Sequence, residues 1–174
     1  MNNAKIDQKD DEKFQFTSDN LQKAKKLIGN YPKGRESSAV MSLLYIAQKQ
    51  CKGYISLSAM DYIAKMLNMR LMHVYEVAKF YSMYNLSPVG QYLIQVCRTT
   101  PCWLCGSNDI LDTCRRILNI DFGETTKDNL FTLKETECLG ACIDAPVVQI
   151  NNDYYERLTV KAMEKIIYNL KNEN

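Results

Sequence analysis

Residues 96–106 read "VCRTTPCWLCG" and place three cysteines, Cys97, Cys102 and Cys105, within nine positions. The run "QYLIQVC" leading into them reads as a buried strand that delivers a thiol at its end. Working outward, "LFTLKETEC" alternates like a second strand and also ends on a cysteine, Cys138, with Cys142 following across "LGA". Between the two, Ser107 to Leu118 carries Ile110, Leu111, Cys114, Ile117 and Leu118 on one helical face. Beyond them, "PVVQI" and "DYYERL" form a hairpin across "NN". Thr159 then caps a last helix bearing Val160, Met163, Ile166, Ile167 and Leu170.

Strand, helix, three strands and helix make a small α/β layer, in order and size similar to a thioredoxin-like fold. The half before it is helical. Val40, Leu43, Leu44 and Ala47 follow the i, i+3, i+4, i+7 template, as do Met60, Ile63, Ala64 and Leu67. "SAMD" suggests Ser58 as an N-cap with Asp61 three residues on. "RLMHVYEVAKFYSMY" fits the template on two faces, which predicts a helix central to its domain or packed against another protein. "LSPVG" at 86–90 punctuates the chain. The expected class is therefore α+β, with a polar, flexible arm at 1–16, a helical bundle at 17–87 and the α/β layer at 88–174.

Composition narrows the function. The net charge of +2 gives no field suited to nucleic acid or an anionic membrane. "MNNAKIDQKDDEKF" is too polar for a secretory signal and too acidic for a transit peptide, and no stretch is long and apolar enough for a membrane span. The expectation is a soluble protein without direct membrane insertion. There is no GxGxxG, no P-loop and no Ser/His/Asp set. His73, the only histidine, and the aromatics Tyr75, Phe80, Tyr81 and Tyr84 read as packing or contact with another protein.

Six of the seven cysteines fall between Cys97 and Cys142. Clustered thiols of this kind suit metal ligation or redox work better than an extracellular disulfide framework. Cys97 and Cys102, with Cys138 and Cys142, form two pairs, the number and grouping of thiolates that a [2Fe–2S] cluster requires. "LGA" is small enough for backbone N–H groups to approach sulfur. Three other readings stay open on spacing alone. Cys97, Cys102 and Cys105 match the C-x4-C-x2-C of plant-type ferredoxins, with Cys138 or Cys142 as a distant fourth ligand. Four cysteines also suit a structural zinc site. "CWLC" could be a dithiol at a helix start. Cys114 reads as a small buried residue and Cys105 as a free thiol beside the site.

"VYEVAKFYSMYNLSPVGQYLIQVCRTTPCWLCGS" and "LFTLKETECLGACIDAPVVQINNDYYERLT" together resemble the small [2Fe–2S] subunits of respiratory complex I. The likeness extends to "NYPKGRESSAVMSLLYIAQKQ" and "GYISLSAMDYIA". It implies an N-terminal helical bundle followed by a thioredoxin-like [2Fe–2S] ferredoxin domain, with Cys97, Cys102, Cys138 and Cys142 as ligands of one [2Fe–2S] cluster. It also implies a subunit of NADH:quinone oxidoreductase with no catalytic site of its own. The partners implied are a larger flavoprotein subunit that binds FMN and NADH, and other peripheral-arm subunits, on the cytoplasmic side of the plasma membrane. Similar subunits serve NAD-linked hydrogenases and formate dehydrogenases. A cysteine at 105 is not part of the family pattern.

Overall fold

The computed structural model describes residues 13–173. The chain divides into two compact units, one ending at Pro88 and the other starting at Val89.

In the first unit, helices α1 (Ser18–Ile28), α2 (Val40–Gln50), α3 (Leu57–Met66) and α4 (Leu71–Phe80) enclose an apolar core. Leu43, Leu44, Ile63 and Val74 are fully buried, with Ala24, Ala47, Ala59 and Ala78 among them. Each large aliphatic side chain removed from water contributes roughly 1.5–3 kcal/mol, while the alanines let the helices approach closely.

The structure departs from the sequence reading at three points here. Phe16 is 6% exposed, and Phe14, Phe16 and Tyr62 meet edge-on at centroid distances of 5.2–5.6 Å. The Gln50 side chain also joins this segment to α2, donating to the Gln15 carbonyl and accepting from the Thr17 N–H. The expected arm at 1–16 is thus packed structure from residue 14 onward, because two aromatics outweigh the polar composition around them; residues 1–12 of that arm lie outside the described residues. The N-cap of α3 is Ser56 rather than Ser58: its hydroxyl accepts from the Ala59 N–H at 3.1 Å, and Ser58 hydrogen-bonds Ser56 instead.

Finally, α4 stops at Phe80 although its periodicity runs to Tyr84. Buried Asn85 explains the stop. Its N–H donates to Gln48 Oε1 and its Nδ2 to the Gly53 carbonyl, while its own carbonyl accepts from the Ile55 N–H. These bonds pull the chain out of helical geometry, and Pro88 follows shortly after. The two apolar faces of α4 separate accordingly: Val74 and Ala78 are buried, while Met72 and Phe80 are exposed.

The second unit has a four-stranded sheet in the order β2 (Phe131–Thr136), β1 (Tyr92–Cys97), β3 (Val148–Ile150), β4 (Asp153–Tyr155). β1 and β2 run parallel, pairing Ile94 with Leu133 and Cys97 with Thr136. β3 is antiparallel to β1, and β4 to β3. A short helix α5 (Thr100–Leu104) follows β1; it is not legible in the sequence, where five residues show no periodicity. Helix α6 (Ser107–Leu118) makes the crossover from β1 to β2, and α7 (Val160–Asn172) packs against it. Ile110, Leu111, Cys114, Met163 and Ile167 form one core with Ile94, Val96, Phe131, Leu133 and Val148. Thr159 caps α7 by accepting from the Ala162 N–H. At Gly90 a Cβ would lie 2.8 Å from the Phe131 backbone, so only glycine lets the chain enter the sheet there. Among the described residues no helix is long and apolar enough to cross a membrane.

Phe16→Ala is expected to destabilise the folded chain by about 3 kcal/mol in chemical denaturation, as a buried aromatic truncation does. Ser56→Ala should cost about 1 kcal/mol, and Ser58→Ala distinctly less; equal costs would contradict the cap assignment.

Candidate metal centre

Three strand ends meet at one edge of the sheet. Parallel pairing carries β1 and β2 to the same edge, so the segments after Cys97 and after Thr136 leave the sheet side by side. β3 enters from that edge, with Val148 opposite Val96, and the Val147 carbonyl accepts from the Cys97 N–H at 3.2 Å. β2 itself ends at Thr136, two residues before Cys138, so this cysteine lies on a loop and not on the strand as its pattern suggested. The loop turns at Gly140, whose φ of +83° suits glycine. The Ala145–Pro146 peptide, just before Val147, is cis.

Four sulfurs gather at this edge as two pairs. Cys97 and Cys102 are each 1% exposed, influence each other's ionisation, and are packed with Val147, Leu139, Ala141 and Ala145. Cys138 and Cys142 are exposed, with their sulfurs 3.3 Å apart. The pairs sense each other electrostatically: Cys97 acts on Cys138 and Cys142, and Cys142 on Cys102. All four are free thiols. Among the described residues no three Cys, His, Asp or Glu side chains gather closely enough to hold a single metal ion.

Backbone N–H groups surround the sulfurs. Thr99 and Leu139 donate to Cys97, Val147 to Cys102, and Gly140 to Cys138 at 3.4 Å. Burial pushes the Cys97 thiol up, but the Thr99 and Leu139 hydrogen bonds outweigh it and leave it below the ordinary cysteine value. Cys102 is pushed up to about 11 by burial and by Cys97. The Gly140 N–H and the neighbouring Cys142 and Thr99 side chains lower Cys138, while Cys142, facing Cys138, is raised. Such an environment favours negative charge on sulfur at two positions, one in each loop.

The other sequence-flagged residues lie elsewhere or differ in kind. Cys105 is the exposed C-cap of α5. Cys114 is fully buried in α6, and burial raises its thiol to about 12. His73 is exposed on α4 with Nδ1 3.3 Å from Glu76. Of the aromatic stripe, Tyr84 is buried and donates to the Met41 carbonyl at 2.8 Å, while Phe80 is 80% exposed. The sequence reading missed Thr99 and the Val147 N–H as sulfur partners. Proximity to Cys97 could have flagged Thr99; nothing local flags Val147, which arrives through β3.

Comparison with known proteins matches residues 24–171 to the thioredoxin-like [2Fe–2S] ferredoxin family. The chain belongs to that family. It is 55% identical over 160 residues to the E subunit of NADH-quinone oxidoreductase from Rickettsia typhi, covering 92% of this chain and 94% of the relative. It is 48% identical to the mitochondrial NADH dehydrogenase [ubiquinone] flavoprotein 2 of Dictyostelium discoideum, covering 91% of this chain and 64% of that protein. In fold it resembles part of an NAD+-reducing [NiFe]-hydrogenase crystallised in the air-oxidised state. The TM-score is 0.68 at 18% identity, covering 78% of this chain and 23% of the other. The chain's own donors suit the family's cluster: two thiol pairs, with N–H groups placed to offset negative charge on sulfur.

Alkylation of the metal-free folded chain should modify Cys105 readily and leave Cys114 untouched until denaturant is added, read by peptide mass spectrometry. Equal labelling of the two in the native state would contradict the burial of Cys114.

Proposed function

We propose that this chain is the [2Fe–2S] subunit of a complex I-type NADH:quinone oxidoreductase, holding one cluster through Cys97, Cys102, Cys138 and Cys142. The observation that carries the reading is the meeting of two thiol pairs at one sheet edge, one pair from each loop, in a chain 55% identical to the Rickettsia typhi relative. Two pairs correspond to two irons with two cysteine ligands each. When bound, the cluster supplies a one-electron couple. The chain's part is to hold the ligands: β1 and α5 fix Cys97 and Cys102 in a dry, packed environment, and the Gly140 turn presents Cys138 and Cys142 at the surface. The N–H donors offset charge on the sulfurs and so help set the potential.

In this reading the chain has no substrate site, and its partner is a larger flavoprotein that binds FMN and NADH and exchanges single electrons with it. The assembly is peripheral, on the cytoplasmic side of the plasma membrane. The hydrogenase likeness supports a second reading, the corresponding subunit of an NAD-linked hydrogenase. Identity of 55% to the Rickettsia typhi relative against 18% to the hydrogenase favours the first.

Anaerobically purified chain should contain two irons and two sulfides and give a rhombic EPR signal on reduction. Stoichiometric zinc without sulfide overturns the assignment in favour of a structural metal site. Cys138→Ser and Cys142→Ser should each disrupt the native cluster, while Cys105→Ser leaves absorbance and EPR nearly unchanged. Loss in Cys105→Ser with retention in Cys142→Ser would establish the plant-type ligand set instead.

A further inference from the structure

Thr99 occupies the N-cap position of α5, where a threonine hydroxyl ordinarily accepts a hydrogen bond from its own helix. Here it makes no such capping bond. Its Oγ1 instead lies 3.4 Å from Cys97 Sγ, within hydrogen-bond reach of sulfur. The Thr99 N–H also donates to Cys97. The side chain thus touches the buried sulfur after β1, and it also favours negative charge on the exposed Cys138 after β2.

We propose that Thr99 is a positioning residue for the cluster, its hydroxyl donating to the Cys97 thiolate and thereby raising the reduction potential. The inference rests on the ligand assignment above. Reduction adds one electron, supplied in the test by dithionite, and breaks no bond at Thr99. The added charge is shared by the ligand sulfurs, so a donor held against them favours the reduced form. A thiolate only accepts, so the hydroxyl proton points at sulfur once Cys97 is a ligand. Because the hydroxyl does not cap α5, removing it leaves the helix end as it is. The methyl group of threonine is retained in Thr99→Val and lost in Thr99→Ser, which separates packing from hydrogen bonding.

The test uses the full chain carrying its cluster, with iron and sulfide analysis and an EPR-monitored redox titration. Thr99→Val should keep the native stoichiometry and shift the potential to more negative values, while Thr99→Ser stays near native. Loss of the cluster from folded Thr99→Val with retention in Thr99→Ser also supports a role for the hydroxyl at the ligands. An unchanged potential in Thr99→Val overturns the proposal, as does an equal shift in both variants. Failure of Thr99→Val alone to fold, seen by circular dichroism, overturns it too, since the hydroxyl is then structural. A native chain without iron and sulfide refutes the ligand reading itself, and is told apart by that analysis of the unsubstituted protein.

Discussion

The parallel pairing of β1 with β2 is the constraint on which the candidate site depends. A six-residue strand spans about 20 Å, so antiparallel pairing would carry Cys138 to the far edge of the sheet, away from Cys97. Parallel strands require a crossover. α6 provides it, and the burial of Ile110, Leu111, Cys114 and Leu118 against the sheet fixes its course. The apolar stripe of one helix is therefore linked to the meeting of thiols that are 41 residues apart in sequence. β3 adds the third wall. By running antiparallel to β1 it brings the Val147 N–H to Cys102 and the Val147 carbonyl to the Cys97 N–H.

The two loops differ in what surrounds their thiols. Cys97 and Cys102 sit beneath Leu139, Ala141 and Ala145, while Cys138 and Cys142 face solvent. Burial alone would disfavour thiolate at Cys97, and directed N–H groups offset that cost. At Cys138 the Gly140 N–H has the same effect without burial. The small residues of "LGA" thus let the backbone come close enough to act as a donor, and Gly140 supplies the positive φ that the loop needs.

Much of the second unit was legible because its signals are local. The stripe from Ser107 to Leu118, the "NN" hairpin and the Thr159 cap each depend on residues within a few positions. The misreadings share a different cause. Ser56 and Ser58 both have a hydroxyl able to cap, and the helix start is decided by Ile55 being buried and held to Asn85. Phe14 and Phe16 looked like part of a charged tail, because Tyr62, which receives them, lies over forty residues away. Tyr84 continued the period of α4, yet its place was set by the Met41 carbonyl and by the hydrogen bonds of Asn85. In each case a distant partner outweighed local propensity.

The sequence by itself determined the supply of thiols: a cysteine-rich segment at 97–105 and a pair at 138 and 142, each after a strand-like run. It also determined the helical and sheet-forming halves, since periodicity of apolar residues is written in the order of the chain. Tertiary structure decided which sulfurs meet, which pair is dry, and which neighbours donate to them. Those properties arise from strand direction, crossover and register, which are relations between segments and not properties of any one segment. Thr99 is the local counter-example: its identity at a helix start suggests a cap, and the turn after β1 sets its hydroxyl against Cys97 Sγ instead.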